Sequence, residues 1–308
     1  MSAQEDADGF VSVTHKKPAR PARNRKGKER FRERTLEEKL EARAQGLRES
    51  RYLQKCRDLL RTALSSPPSS DATSPSTSAV PPCPPPVCVV CLGLGSLSES
   101  TKAQDQYVLL QGLLEELKGV IDEEIPTEFY DPVFTPEDTA FLTSQGHTVL
   151  SSPHPLVLTR PTLLYIPHGP RTLFDSLLRS NWTSPEQLEK VVVWGNRLDL
   201  YDDPTYSGSL VGRGKKGKGG KGEEGGDELG ESAEFVVRAA KLFHNYPLPD
   251  PKDHLEAFND LALQWIVPER IRDQPASFWV PEAREEERDK EGGNVDGVEE
   301  AVGKLALE

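Results

Sequence analysis

The sequence predicts an α/β domain built on a mostly parallel sheet flanked by helices. Three observations support this. Short apolar runs such as residues 87–92 (VCVVCL), 162–166 (TLLYI) and 191–194 (VVVW) read as buried strands. Segments of helical spacing alternate with them, and glycine or polar residues follow most of the runs, where strand gives way to helix.

The elements follow in order. The strand at 87–92 runs into two glycines and a polar turn, then into residues 103–117, where Leu110, Leu113, Leu114 and Leu117 keep helical spacing. Residues 127–134 (TEFYDPVF) begin a second strand. Thr135-Pro136-Glu137-Asp138 then starts a helix with proline in its first turn, which should stop near Gly146. Residues 147–150 are a short third strand, 162–166 a fourth and 191–194 a fifth, with helices at 171–179 and 185–190 between the last two. Residues 234–242 are helical, and 257–266 (AFNDLALQWI) place a final strand or helix on a Rossmann-like sheet.

Around this centre, composition dilutes the fold. The 308 residues are 35% hydrophobic and 29% charged, with 26 prolines and 24 glycines, so much of the chain is expected to stay out of any core. The expected organisation is a disordered basic arm (1–34), a helical segment (35–64), a Ser/Pro linker (65–86), the α/β domain (87–280) carrying a low-complexity Gly/Lys insertion (208–231), and an acidic tail (281–308). The helical segment has a possible cap at Thr35. Its leucines do not sustain a heptad and Gly46 interrupts them, so a solvent-rich helix is expected rather than a coiled coil.

The net charge of −12 conceals an asymmetry. Residues 1–62 hold 17 Lys/Arg against 10 Asp/Glu, so the remainder carries about −19. The tract KKPARPARNRKGKERFRER (16–34) suits a nuclear-import signal or a nucleic-acid contact, and equally a solvated tail. No run of 18 apolar residues and no signal-peptide order occur, so neither a membrane span nor secretion is expected; the chain reads as cytoplasmic and nuclear. Of the four cysteines, Cys88 and Cys91 have half a zinc spacing. Positions three apart on a strand point to opposite faces, so they read as buried core thiols, and no metal site is expected.

In an open parallel sheet, ligands sit beyond the carboxyl ends of the strands. Six candidate ligand-binding residues fall there: Gly93, Gly95 and Ser96 after the first strand, Asp131 near the end of the second, His168 after the fourth and Asn196 after the fifth. The first turn departs from the dinucleotide fingerprint. It lacks the third glycine, and Asp131 lies 36 residues past Gly95 rather than about 20. NAD binding is therefore not expected, and the cofactor, if any, is left open. Ser96 or Ser98 with His168 and Asp131 formally permits Ser–His–Asp chemistry, but no Gly-x-Ser-x-Gly elbow exists. A regulator binding a small molecule or protein partner is the first reading. An enzyme with a nucleotide or S-adenosylmethionine-like cofactor is the alternative.

The ordered segments CLGLGSLSES, EFYDPVFTPEDTAFLTSQGHTVL, LLYIPHGPRTLFDSLLRSNW, VVVWGNRLDLY and EAFNDLALQW, with DGFVSVTHKK near the start, resemble the SRR-like domain of the Sensitivity to Red Light Reduced family. The resemblance implies a regulatory role, in circadian-clock input and light signalling or in haem biosynthesis and cytoskeletal stability, without an established reaction. Two departures stand out. Gly169 follows His168 where many members have Cys, which speaks against a thiol-dependent role; Arg197 follows Asn196 where a small Ser is usual, which would make that pocket more cationic.

Overall fold

The computed structural model describes residues 4–5, 11–12, 32, 34–65, 82–202 and 234–279. Most of the basic arm, residues 66–81 of the linker, the Gly/Lys insertion and the acidic tail lie outside the described residues. Residues 1–35 form a unit of their own, in which Gln4–Glu5 pairs antiparallel with Val11–Ser12. Everything below concerns the second unit, from Leu36 onward.

Its centre is a seven-stranded sheet. The strands are β1 (Cys88–Leu92), β2 (Thr127–Tyr130), β3 (Thr148–Val149), β4 (Thr162–Ile166), β5 (Val191–Asn196), β6 (Phe243–Pro247) and β7 (Leu261–Ile266), in the order β3-β2-β1-β4-β5-β7-β6. The first five are mutually parallel, and β7 runs antiparallel to both β5 and β6. Every residue of β1, β4 and β7 is buried, which explains why these strands read as unbroken apolar runs rather than alternating ones.

Residues of β1 separate by parity onto two cores. Val89 and Cys91 join one that includes Tyr165, Trp194 and Trp265, while Val90 and Leu92 join another with Phe174, Trp182 and Phe235. Helix α3 (Thr101–Ile121) and α4 (Pro136–Ser144) contribute to the first core; α5 (Arg171–Asn181), α6 (Pro185–Leu188) and α7 (Glu234–Leu242) contribute to the second. The starts of α3 and α4 are capped as their sequences suggest. The Ser100 hydroxyl accepts from the Ala103 N–H, and Thr135 and Asp138 form a reciprocal capping box ahead of Pro136.

The N-terminal segment differs from expectation. It is two helices, α1 (Leu36–Glu49) and α2 (Tyr52–Leu64), and the chain breaks not at Gly46 but at Arg51, whose φ of 57° is left-handed. Both helices are rich in exposed polar residues on one side, but the other side is buried. Leu36, Leu40, Leu47, Tyr52, Cys56, Leu59 and Leu60 are buried in the first core, and Tyr52 stacks on Phe258 with ring centroids 4.9 Å apart. Glu116 on α3, almost wholly buried, accepts from Arg57 and Arg61 of α2, the Arg61 contact being 2.7 Å. The folded unit therefore takes in these helices instead of starting near Val87. Part of the expected linker joins it too: Cys83 is buried and its N–H donates to the Ala63 carbonyl.

Two further differences concern the end of the sheet. Residues 257–266 divide into the end of a short helix, α8 (Leu255–Phe258), and β7. The strand β6 was not expected, since FHNYP carries no clear apolar alternation. A short helix, α9 (Pro268–Ile271), and a 3-10 turn (Ala276–Phe278) follow, and Phe278 packs on the second core.

Burial of α1 has a measurable consequence. Leu47→Ala should lower the unfolding free energy of the whole domain by about 2–5 kcal/mol, the cost of a cavity in a packed core. Urea denaturation measures this, and unchanged stability would show that α1 is not part of the core.

Candidate functional site

Successive connections lead from β1 outward to β2 and β3 on one side, while β4 and β5 lie on the other. The order reverses between β1 and β4, which opens a crevice beyond their carboxyl ends. All six candidate residues lie at this edge, in two groups.

The first group surrounds the glycine turn. Gly93 and Gly95 both have left-handed backbones, with φ of 70° and 85°. Nothing stands within 4 Å of a Cβ built on Gly93, so it is backbone conformation and not crowding that calls for glycine there. The turn is held by two carboxylates. Asp131 Oδ2 accepts from the Gly95 N–H at 2.7 Å and Oδ1 from the Val133 N–H at 3.0 Å. Asp138, fully buried, accepts from the Ser98 N–H at 2.8 Å and the Thr135 N–H at 2.9 Å. Burial alone would raise the Asp138 pKa. The Thr135 N–H, the Ser96 hydroxyl, the Ser98 N–H and the Thr135 hydroxyl together outweigh it and hold the carboxyl below its usual range. Ser96 is buried and its Oγ lies 3.0 Å from Ser98 Oγ, so it braces the turn from inside.

The second group lies at the ends of β4 and β5 and the start of β7. His168 has a φ of 58°, and its Nε2 sits 3.1 Å from the Ala257 carbonyl oxygen. A carbonyl only accepts, so Nε2 carries the proton. Burial, with Lys102 adding to it, lowers the His168 pKa against the opposing pull of Ala257 and Asp260, which favours the neutral ring. Asn196 Nδ2 donates to the Gly169 carbonyl at 2.9 Å and to Tyr201 Oη at 3.0 Å. Its Oδ1 is buried and has no hydrogen-bond partner among the described residues. Asp260, with a φ of 53°, faces the same cavity of about 60 Å³ as His168, Asn196 and Tyr201.

The structure thus joins Gly95 to Asp131 and places His168 with Asn196, but the cavity of the second group is not lined by the first. Between them lies the first turn of α3: the Ala103 Cβ is 3.6 Å from a Cβ built on Gly95, and Lys102 acts electrostatically on His168. Ser96, His168 and Asp131 each bond elsewhere, so no Ser–His–Asp relay is assembled. Arg197 also lines the cavity of the second group, and its guanidinium pairs with Asp199 at 2.6 Å. All four cysteines are free and buried; burial pushes the Cys56 thiol up to about 12 and raises Cys83 and Cys91, leaving no activated thiol among these three. No metal-binding cluster of three His, Cys, Asp or Glu occurs among the described residues, and none of their helices is long and apolar enough to cross a membrane.

Asp138, Tyr201 and Asp260 were missed from sequence. Asp138 stood out only as a helix-capping residue, while Asn259-Asp260, a polar pair just ahead of an apolar run, was a usable signal for a turn at the active edge.

The depressed Asp138 pKa links the turn to pH. The folded value lies below the unfolded one, so its stabilisation is present above about pH 4 and is lost as pH falls through the lower folded value. Asp138→Asn should be most destabilising near neutrality, and the gap to wild type should narrow below pH 4. Urea midpoints from pH 7 to pH 2 test this; a gap independent of pH would contradict it.

A mouse SRR1-like protein is 34% identical over 113 residues, covering 35% of this chain and 43% of that protein. Protein SENSITIVITY TO RED LIGHT REDUCED 1 of Arabidopsis thaliana is 28% identical over 117 residues, covering 37% and 41%. A Drosophila melanogaster SRR1-like protein is 26% identical over 197 residues, covering 62% and 60%. The matches span between 41% and 60% of these relatives' lengths. No solved structure matches the chain. The SRR1 domain model matches residues 78–265, which include every strand of the sheet but the last residue of β7 and all six edge residues, and the chain belongs to the SRR1-domain family.

Proposed function

We propose that this chain is a regulatory protein whose SRR1 domain responds to a small molecule or protein partner bound at the carboxyl edge of its sheet. One observation carries the reading. Two non-glycine residues with left-handed backbones, His168 and Asp260, frame a cavity also lined by Asn196, whose buried Oδ1 has no hydrogen-bond partner among the described residues. Strained backbone and unused hydrogen-bonding capacity in one place favour recognition over simple packing. That the candidate Ser, His and Asp bond elsewhere supports a regulator over a hydrolase. The name of the Arabidopsis relative, which refers to sensitivity to red light, supports light signalling as the setting, and circadian-clock input and haem-biosynthesis control belong to the same proposal. The basic tract at 16–34 supports action in both nucleus and cytoplasm, with nucleic acid as a possible contact of the arm.

A second reading, an enzyme using a nucleotide or S-adenosylmethionine-like cofactor, is favoured by the sheet itself. Its order reverses between β1 and β4, as at the crevice where doubly wound domains bind nucleotides, a likeness of fold alone.

A thermal-shift panel of nucleotides, S-adenosylmethionine and haem separates the readings. A ligand of the edge should raise the melting temperature of the wild-type chain and lose most of that effect in Asn196→Ala. No shift with any member would move the site to protein partners. For the arm, deletion of residues 16–34 should weaken salt-sensitive association with nucleic acid and reduce nuclear entry while leaving melting unchanged; intact binding and localisation would leave the tract a solvated tail.

A further inference from the structure

We propose that the β1–β2 end of the edge binds a ribonucleoside, with the vicinal hydroxyls of its ribose on Asp131, and that it does not accept a pyrophosphate at the glycine turn. The inference rests on the proposed edge site and names its ligand class.

Position comes first. Leu92 of β1 pairs with Tyr130 of β2, so Gly93 and Asp131 are the next residues of two adjacent parallel strands. In doubly wound nucleotide-binding domains an acidic residue beyond the glycine turn meets the ribose hydroxyls. The separation of 36 residues between Gly95 and Asp131 had argued against that role. The 21-residue length of α3 accounts for much of the extra chain and leaves Asp131 at the end of β2, directly beside the turn.

Chemistry follows. A carboxylate offers about four lone-pair sites. The N–H groups of Gly95 and Val133 take one on each Asp131 oxygen, which fixes the orientation of the group and leaves acceptor capacity on both. A vicinal diol presents two O–H donors to such a pair. Access exists as well. Asp131 is only partly buried, Gly93 is exposed, and no atom lies within 4 Å of a Cβ built on Gly93, so a ligand can approach the backbone.

The same hydrogen bonds work against a phosphate cradle. Such a cradle needs free backbone N–H groups leading into a helix start. Here those of Gly95 and Ser98 are committed to Asp131 and Asp138, and Ser100 caps Ala103. Helix α3 begins only at Thr101, six residues after Gly95. A pyrophosphate placed on the turn would meet the Asp131 carboxylate and find the Gly95 and Ser98 N–H groups already engaged.

Isothermal titration of the full chain tests the assignment, with adenosine, guanosine, cytidine, uridine, their 2′,3′-dideoxy counterparts, and NAD. At least one ribonucleoside should bind, its dideoxy form should bind about 10- to 100-fold more weakly, and NAD should bind no more tightly than adenosine. Because the deletion is made on the ligand, this comparison does not depend on a variant's folding. Asp131→Asn, which keeps one acceptor oxygen for the Gly95 N–H, should weaken the same ribonucleoside while Asn196→Ala retains the diol preference. Equal binding of the dideoxy form, tighter binding of NAD, or no ribonucleoside binding at millimolar concentration would overturn the assignment. In that last case, haem or another non-nucleoside ligand whose binding is lost in Asn196→Ala would leave the edge site standing and remove only the ribose.

Discussion

A parallel sheet buried on both faces must be covered on both, and this requirement governs the rest of the molecule. The face carrying Val89, Cys91, Tyr165, Trp194 and Trp265 shares one core with residues of α3 and α4. Helices α1 and α2 add to it, with Tyr52 and Cys56 reaching the same core as Tyr165 and Phe258. The ion-pair group of the half-exposed Arg61 and partly exposed Arg57 on the buried Glu116 adds direction more than energy, since solvent screens the arginines and burying the carboxylate offsets much of the attraction. It sets how α2 lies on α3, and α3 in turn separates the two groups of edge residues.

The carboxyl edge is organised by negative charge. Asp131 and Asp138 lie outside the turn in sequence yet bond its backbone through Gly95 and Ser98, linking β2 and the start of α4 to the loop between β1 and α3. A carboxylate accepting several N–H bonds is held more firmly than a neutral acceptor would be. The positive φ at Gly93 and Gly95 is thus sustained from both sides. At the other end of the edge, the left-handed His168 is held by the Ala257 carbonyl, and the Asn196 amide bonds Gly169 and Tyr201.

Much of the sheet was legible in the sequence because buried strands have a composition of their own. VCVVCL, TLLYI and VVVW could hardly be anything else between helical segments. FHNYP was not legible. Its place at the sheet edge leaves most of its residues only partly buried, so no apolar pattern marks it as strand. The burial of α1 and α2 was hidden for a related reason: dense charge on their outer sides masks leucines whose spacing is irregular, and only the shared core shows what they cover. Arg51, which breaks the helix, gives no local signal, since a left-handed arginine is fixed by its surroundings and not by preference.

The glycine turn shows where local reading stops. Gly93-Leu94-Gly95-Ser96 has the backbone freedom of a ligand loop, and the motif alone fits a phosphate cradle or a plain corner equally well. What separates these meanings is the destination of two N–H groups, and both lead to side chains 36 and 40 residues away. Those contacts engage two of the donors an anion would use and hold the partly exposed Asp131 carboxylate beside the turn. The chemistry of the motif is therefore set by the strand and helix packed against it rather than by its glycines.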